Sequence, residues 1–204
     1  MMRALSAQLQ RETGRAPLIV PIGGSSLEGV FGWISGGLEI AAAARAGALP
    51  EPARVYTALG SGGTAAGLLI GLRLAGLSST VVGVRVVDRP LGYAWQVRAL
   101  AQAAIHQLRS CGAAIPTLKL RGLQVMEDWR EGGYGVVTPR IAAILPRADA
   151  LGLSAETTYT ARCLGAVLAD HDTSTAPSLY IHTKNDRPLP EGPPLPHSLH
   201  RLLT

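Results

Sequence analysis

The stretch from Val55 to Gly67 constrains the fold of this chain more than any other. An extended apolar run, Val55-Tyr56-Thr57-Ala58-Leu59, empties into Gly60-Ser61-Gly62-Gly63 and then directly into the helix-forming Thr64-Ala65-Ala66-Gly67. Glycines let the backbone turn without a Cβ in the way, so successive N–H groups can converge on one anion. The hydroxyls of Ser61 and Thr64, and the positive end of the helix that starts near Thr64, pull in the same direction. Strand, glycine-rich turn and helix in this order form a phosphate cradle. The question left open is whose phosphate.

Alternating strands and helices surround that unit. A helix is expected over residues 3–13. Pro17-Leu18-Ile19-Val20-Pro21-Ile22 reads as a short buried strand running into Gly23-Gly24-Ser25-Ser26. Ser25 or Ser26 can cap the following helix, which reaches about Ala48 and carries Glu28 in its first turn, where the dipole favours it. Pro50 and Pro52 close that unit. Next come strand 54–59, helix 64–76, strand 80–87 and a helix over about 92–110. Beyond Cys111 the pattern weakens to a short strand within 117–125, a polar loop 127–135, helices over 138–151 and 156–169, and a last strand at 178–183. Thr138-Pro139 supplies an N-cap and a first-position proline. This succession predicts an α/β fold, an open parallel sheet with flanking helices, over residues 1–184. Residues 185–204 hold Pro188, Pro190, Pro193, Pro194 and Pro196 and read as a proline-rich tail.

Composition narrows the function classes. With 204 residues and 47% hydrophobic content the chain can bury the core of one large domain, and with a single Phe that core must rest on Leu, Val, Ile and Ala. The net charge is +5, yet the basic residues are scattered singly, and all but Lys119 and Lys184 are arginine. No nucleic-acid partner is expected. Cys111 and Cys163 form no CxxC pair, which fits a reduced cytoplasmic compartment. Met1–Arg15 has no signal-like apolar region, and the apolar run Ala65–Leu72 is cut by Arg73, far short of a membrane span of roughly 18 residues. No metal site is expected: His197 and His200 stand among prolines without a third ligand, and His106 and His171 read as surface histidines on helices. No Ser-His-acid or H-E-x-x-H arrangement supports a hydrolase, and Gly62-Gly63-Thr64 lacks the G-K-[ST] of a P-loop.

Two readings of the glycine turn compete. Gly60-Ser61-Gly62-Gly63-Thr64-Ala65 satisfies G-x-G-x-x-G/A, and Asp88, 23 residues after Ala65, stands where a ribose-binding carboxylate would sit in a Rossmann-type dinucleotide binder. That reading leaves the Pro21–Ser26 turn and the segments around Tyr134 and Tyr159 without a role.

An ordered set of motifs gives them one: Pro21-Ile22-Gly23-Gly24-Ser25-Ser26 with Gly29 and Gly32-Trp33; Gly60-Ser61-Gly62-Gly63-Thr64 with Ala66-Gly67; Gly83-Val84-Arg85-Val86-Val87; Gly133-Tyr134-Gly135 with Thr138-Pro139; Thr158-Tyr159-Thr160; and Ile181-His182-Thr183. Together, over roughly residues 3–183, they resemble the D-cysteine desulfhydrase and 1-aminocyclopropane-1-carboxylate (ACC) deaminase family, pyridoxal-phosphate enzymes of the tryptophan-synthase-β fold type, fold type II. The resemblance implies that Gly60, Ser61, Gly62, Gly63 and Thr64 hold the phosphate of pyridoxal 5'-phosphate. It places Tyr134 and Tyr159 on the substrate side of the ring and Thr160 at the pyridine nitrogen. A neutral hydroxyl there, instead of a carboxylate, suits elimination of a good leaving group, which favours desulfhydrase-like β-elimination over cyclopropane opening.

Departures from the family pattern qualify this. The Schiff-base lysine of the family lies upstream of every motif matched here, and this chain has no lysine before Lys119. The chain therefore reads as the C-terminal part of such a subunit, truncated at its N-terminus, with the small domain largely missing. Lys119 and Lys184 read as solvated lysines. Lys184-Asn185-Asp186 replaces the family's Gly-Gly after His-Thr, Ser26 stands at a common asparagine position, and Arg162 replaces a lysine. The implied activity is conversion of a small D-amino acid such as D-cysteine to pyruvate and ammonia, in a possible homodimer, by a chain incomplete on its own. A non-catalytic pyridoxal-phosphate-binding pseudo-subunit and a Rossmann-type protein are the alternatives.

Overall fold

The computed structural model describes residues 2–187. In chain order it contains α1 (Met2–Thr13), a 3-10 turn (Ile22–Gly24), α2 (Leu27–Arg45), β1 (Arg54–Leu59), α3 (Gly63–Leu74), β2 (Thr80–Arg85), α4 (Ala94–Ser110), β3 (Leu123–Met126), α5 (Pro139–Ala142), α6 (Ile144–Ala150), α7 (Thr160–His171) and β4 (Ser178–Tyr180). The proline tail and the two histidines in it lie outside the described residues.

All strand pairings are parallel and the order is β3-β2-β1-β4. Side chains alternate across a strand, and the alternation sorts the core into two layers. Val55 and Leu59 of β1 and Val81 of β2 join Val30, Leu68, Leu69, Val97 and Ala101 on the face covered by α2, α3 and α4. Tyr56 of β1 and Val82 and Val84 of β2 join Trp129, Ile141, Ile144, Ala161 and Leu164 on the face covered by α5, α6 and α7. Burial on both faces explains why β1 and β2 read as near-continuous apolar runs.

Connectivity fixes where a site can form. The links from β1 to β2 and from β2 to β3 pass through α3 and α4 on one face. The link from β3 to β4 passes through α5–α7 on the other. The two neighbours of β1, β2 and β4, are therefore reached by connections on opposite faces, and the carboxyl end of β1 is the topological switch point where open α/β sheets open a crevice.

Glycine sets how close the two helices beside that point can come. A Cβ on Gly37 of α2 would lie 2.9 Å from the Cα of Gly71 in α3, so the backbones touch where these two lack side chains. This brings the turn before α2 against the turn before α3.

One expected element is absent. Residues 17–21 form no strand, and Leu18 and Val20 are 89% and 62% exposed. Their apolar character suggested burial, but the segment pairs with no strand among the described residues, and an unpaired strand cannot persist. Other boundaries shift: the predicted helix 138–151 is two short helices, the helix expected from 156 begins at Thr160, and the strands expected over 80–87, within 117–125 and at 178–183 are Thr80–Arg85, Leu123–Met126 and Ser178–Tyr180.

Candidate cofactor site

A cavity of about 730 Å³ opens at the carboxyl end of β1, large enough for a small cofactor with a substrate. Its walls come from four places: Ile22, Gly23, Ser25 and Trp33 around the start of α2; Gly60–Thr64 between β1 and α3; Val87, Asp88, Arg89 and Leu91 after β2; and Tyr134, Tyr159 and Thr183 from the far side. All five residues expected to hold a phosphate therefore face one space, and the two tyrosines expected on the substrate side face it as well.

The cradle is built by local geometry. Gly62 has φ 98°, a left-handed conformation that a side chain would strain, and it is the N-cap of the 12-residue helix α3. Gly63 donates its N–H to Ser25 Oγ at 3.1 Å, and a Cβ at Gly63 would lie 2.7 Å from that oxygen. The backbone N–H groups of Ser61, Gly62, Thr64 and Ala65 have no acceptor among the described residues. Unpartnered amides at the positive end of a helix, where the cavity reaches them, are what a phosphate oxygen requires. The residues present fit the phosphate of pyridoxal phosphate.

On the other side, the Tyr134 and Tyr159 hydroxyls lie 2.7 Å apart, with their rings edge-to-face at 6.0 Å between centroids. Tyr159 packs on the turn: a Cβ on Gly60 would sit 3.5 Å from its ring. Burial, then the hydrogen bond with Tyr134, pushes the Tyr159 hydroxyl up to about 12, so it stays protonated at neutral pH.

Thr160 is not brought into the cavity. It is 2% exposed, and its hydroxyl is committed to Glu156: it accepts from the Glu156 N–H at 2.7 Å and lies 3.2 Å from Oε1. Glu156 in turn accepts the N–H groups of Thr158, Tyr159 and Thr160 at 2.7–2.8 Å. Burial raises the Glu156 carboxyl, but these amides outweigh it and hold the group below the usual carboxylate range.

Three residues that sequence reasoning did not place in these roles hold the two walls, the first two of them fastening the loop that carries Tyr134. Arg162 is fully buried, and its guanidinium donates to the carbonyls of Trp129 at 3.0 Å, Gly133 at 3.0 Å and Val136 at 2.6 Å, with Nε on Thr157 O at 3.1 Å. Asp88 accepts the Tyr134 N–H at 3.2 Å and pairs with Arg130 at 2.8 Å. The N–H of Tyr134, burial aside, lowers the Asp88 carboxyl most, with Arg130 adding to it. Asp88 thus holds the loop that the dinucleotide reading left without a role. Ser25 is the third. The doublet Ser25-Ser26 signalled a cap, and Ser26 takes that part by accepting the Gly29 N–H at 3.2 Å. That leaves Ser25 free to reach the cradle.

Neither lysine reaches the cavity. Lys184 donates to Ser154 Oγ and Asp186 Oδ1 at 2.5 and 2.6 Å, and Lys119 borders a separate depression with Arg73 and Arg121. Cys163 is buried, and burial pushes its thiol up. No group of three or more His, Cys, Asp or Glu that could hold a metal occurs among the described residues, and no helix among them is long and apolar enough to cross a membrane.

A doubly covered parallel sheet with a glycine cradle at its switch point is the architecture of fold-type II pyridoxal-phosphate enzymes. Among solved structures, an ACC deaminase homologue superposes with a TM-score of 0.70 at 24% identity, over 89% of this chain and 53% of that one. No family model matches the chain. It is 32% identical over 176 residues to the D-cysteine desulfhydrase of Klebsiella pneumoniae, which covers 83% of this chain and 51% of that protein. It is 28% identical over 187 residues to the D-cysteine desulfhydrase of Salmonella paratyphi B, covering 89% and 54%. The chain belongs to the D-cysteine desulfhydrase and ACC deaminase family, and it spans about half the length of the curated relatives it matches.

Proposed function

We propose that this chain supplies the phosphate-binding and substrate-facing walls of a pyridoxal-phosphate-dependent lyase acting on a small amino acid, with β-elimination from D-cysteine or a similar D-amino acid as the reaction. The observation that carries this reading is the unpartnered amides of Ser61, Gly62 and Thr64 at the start of α3, facing a cavity bordered by two hydrogen-bonded tyrosines in a chain of this family.

Ser61, Gly62 and Thr64 would hold the phosphate through their N–H groups, with the hydroxyls of Ser61 and Thr64 beside them. The bound cofactor would supply the electron sink that lets an amino acid lose its α-proton and then its β-substituent. Within the tyrosine pair, burial and the bond to Tyr134 keep the Tyr159 phenol a hydroxyl at neutral pH. One of their two protons makes the bond between them and the other is free for the cavity, so the pair suits giving a proton to a departing thiolate and not taking one from carbon. Loop 129–136, fastened by Arg162 and Asp88, holds Tyr134 there.

Neither Lys119 nor Lys184 serves as the Schiff-base lysine in this reading; that group is assigned to a residue outside these 204. The chain on its own is then a cofactor-binding subunit without turnover. Titrating the purified chain with pyridoxal phosphate, with inorganic phosphate as competitor and borohydride as a trap, tests the reading. Saturable binding displaced by phosphate, with no lysine fixed to the cofactor, is the expected outcome. Absence of saturable binding, or tighter binding of NAD that is lost in Asp88→Ala, would overturn it.

A further inference from the structure

The hydroxyls of Ser25 and Ser61 lie 2.7 Å apart, and together with the Gly63 N–H they pose a proton-counting problem whose answer assigns Ser25 a role. A hydroxyl has one proton to give and two lone pairs to receive with. Ser25 Oγ receives the Gly63 N–H at 3.1 Å. The two serines have two protons between them, and only one can lie in the bond they share. The remaining proton has no acceptor among the described residues, although both side chains border the cavity.

Which proton is left over follows from the direction of polarisation. A hydroxyl that already receives a hydrogen bond becomes a better donor, because the incoming dipole draws charge from its own O–H. Gly63 therefore makes Ser25 the donor and Ser61 the receiver. The chain runs Gly63 N–H to Ser25 Oγ, Ser25 O–H to Ser61 Oγ, and Ser61 O–H into the cavity. The Ser61 and Gly62 amides that also lack acceptors stand beside that last proton.

We infer that Ser25 is a positioning residue for the anion site: it fixes the Ser61 hydroxyl as a donor toward a tetrahedral oxyanion, the phosphate monoester of the cofactor. This rests on the cofactor reading above. The arrangement depends on tertiary contact, since Ser25 precedes α2 and Ser61 precedes α3, and the two turns meet only because the helices touch at Gly37 and Gly71. A bystander role, in which Ser25 merely ties two turns together, predicts a loss of thermal stability without any dependence on Ser61.

A double-mutant cycle on the whole chain separates these, read by pyridoxal phosphate and inorganic phosphate affinities from titration calorimetry, with melting temperatures in parallel. Ser61→Ala is expected to weaken pyridoxal phosphate binding by about tenfold or more, the usual worth of a hydrogen bond to a charged group. Ser25→Ala is expected to weaken it by a similar factor, and Ser25→Thr, which restores the hydroxyl, to recover most of it. The double variant should be little worse than Ser61→Ala, because Ser25 acts through a hydroxyl already removed. Multiplying losses in the double variant, or wild-type affinity in Ser25→Ala, would overturn the inference while the cofactor reading stands. Failure of the unaltered chain to bind either probe would overturn both.

Discussion

The two sides of the cavity are made in opposite ways. The phosphate side, Gly60–Thr64, is a tight turn whose shape follows from its own residues: a glycine at φ 98° and a helix that starts one residue later. The tyrosine side, residues 127–137, has no regular structure of its own. It is fastened from a distance by a buried arginine 26–33 residues away in sequence and by a carboxylate at the end of another strand. A turn set by its own backbone keeps its shape when the opposite wall is changed. A device held by distant side chains fails when any one of them is removed.

The most disruptive test of that contrast is Arg162→Met. It would leave the buried carbonyl of Trp129 and the part-buried carbonyls of Gly133 and Val136 without their donor, a loss of roughly 3–5 kcal/mol. For a chain of this size that lowers the melting temperature by on the order of 10 °C. Hydrogen exchange in 129–136 should rise, and phosphate affinity, measured well below the transition, should stay near the wild-type value. Loss of both together would show that the two walls are not independent.

Next in size is Gly62→Ala, which forces a side chain into the left-handed region at a cost of about 1–2 kcal/mol. Calorimetry should find phosphate affinity reduced more than tenfold, while protease sensitivity of loop 127–137 stays unchanged.

Glu156→Gln tests the hinge between the two walls, since Glu156 holds the amides of Thr158, Tyr159 and Thr160. Loss of the charge from these bonds should cost about 1–2 kcal/mol at neutral pH. The folded carboxyl titrates below its ordinary value near 4.5, so its contribution is present above that pH and is lost as pH falls through the lowered folded value. Melting temperature plotted against pH should therefore drop less steeply below about 4.5 in the variant than in the wild type. Equal slopes would remove Glu156 from this role.

Asp88→Asn should have the smallest effect. Its ion pair with Arg130 is exposed on both sides, and such pairs contribute little to stability. The melting temperature should barely change, while the Tyr134 amide exchanges faster; an unchanged exchange rate would mean that Arg162 alone holds the loop.

How much of this could be read from the sequence divides along the same line. The strands at 54–59 and 80–85, the helices that follow them and the cradle between β1 and α3 were legible, because apolar runs, glycine spacing and helix starts are short-range signals. The apolar run 17–22 misled, since apolar character reports a preference for burial and not the presence of a pairing partner. Thr160 was expected at the cavity and lies behind it, its hydroxyl taken by Glu156, whose capping of three amides has only a weak sequence signature. Arg162 reads only as the replacement of a lysine, because no sequence pattern marks an arginine surrounded by carbonyls.

Residue order alone was enough to dictate a parallel α/β sheet and an anion cradle, because backbone conformational freedom and side-chain periodicity act over a few positions. Folding in three dimensions chose which hydroxyls and charges would meet: Ser25 with Ser61, Tyr134 with Tyr159, Arg162 with the loop. Those pairs lie 25 to 36 positions apart, and directional bonds form only where packed helices and strands carry their donors and acceptors to within about 3 Å.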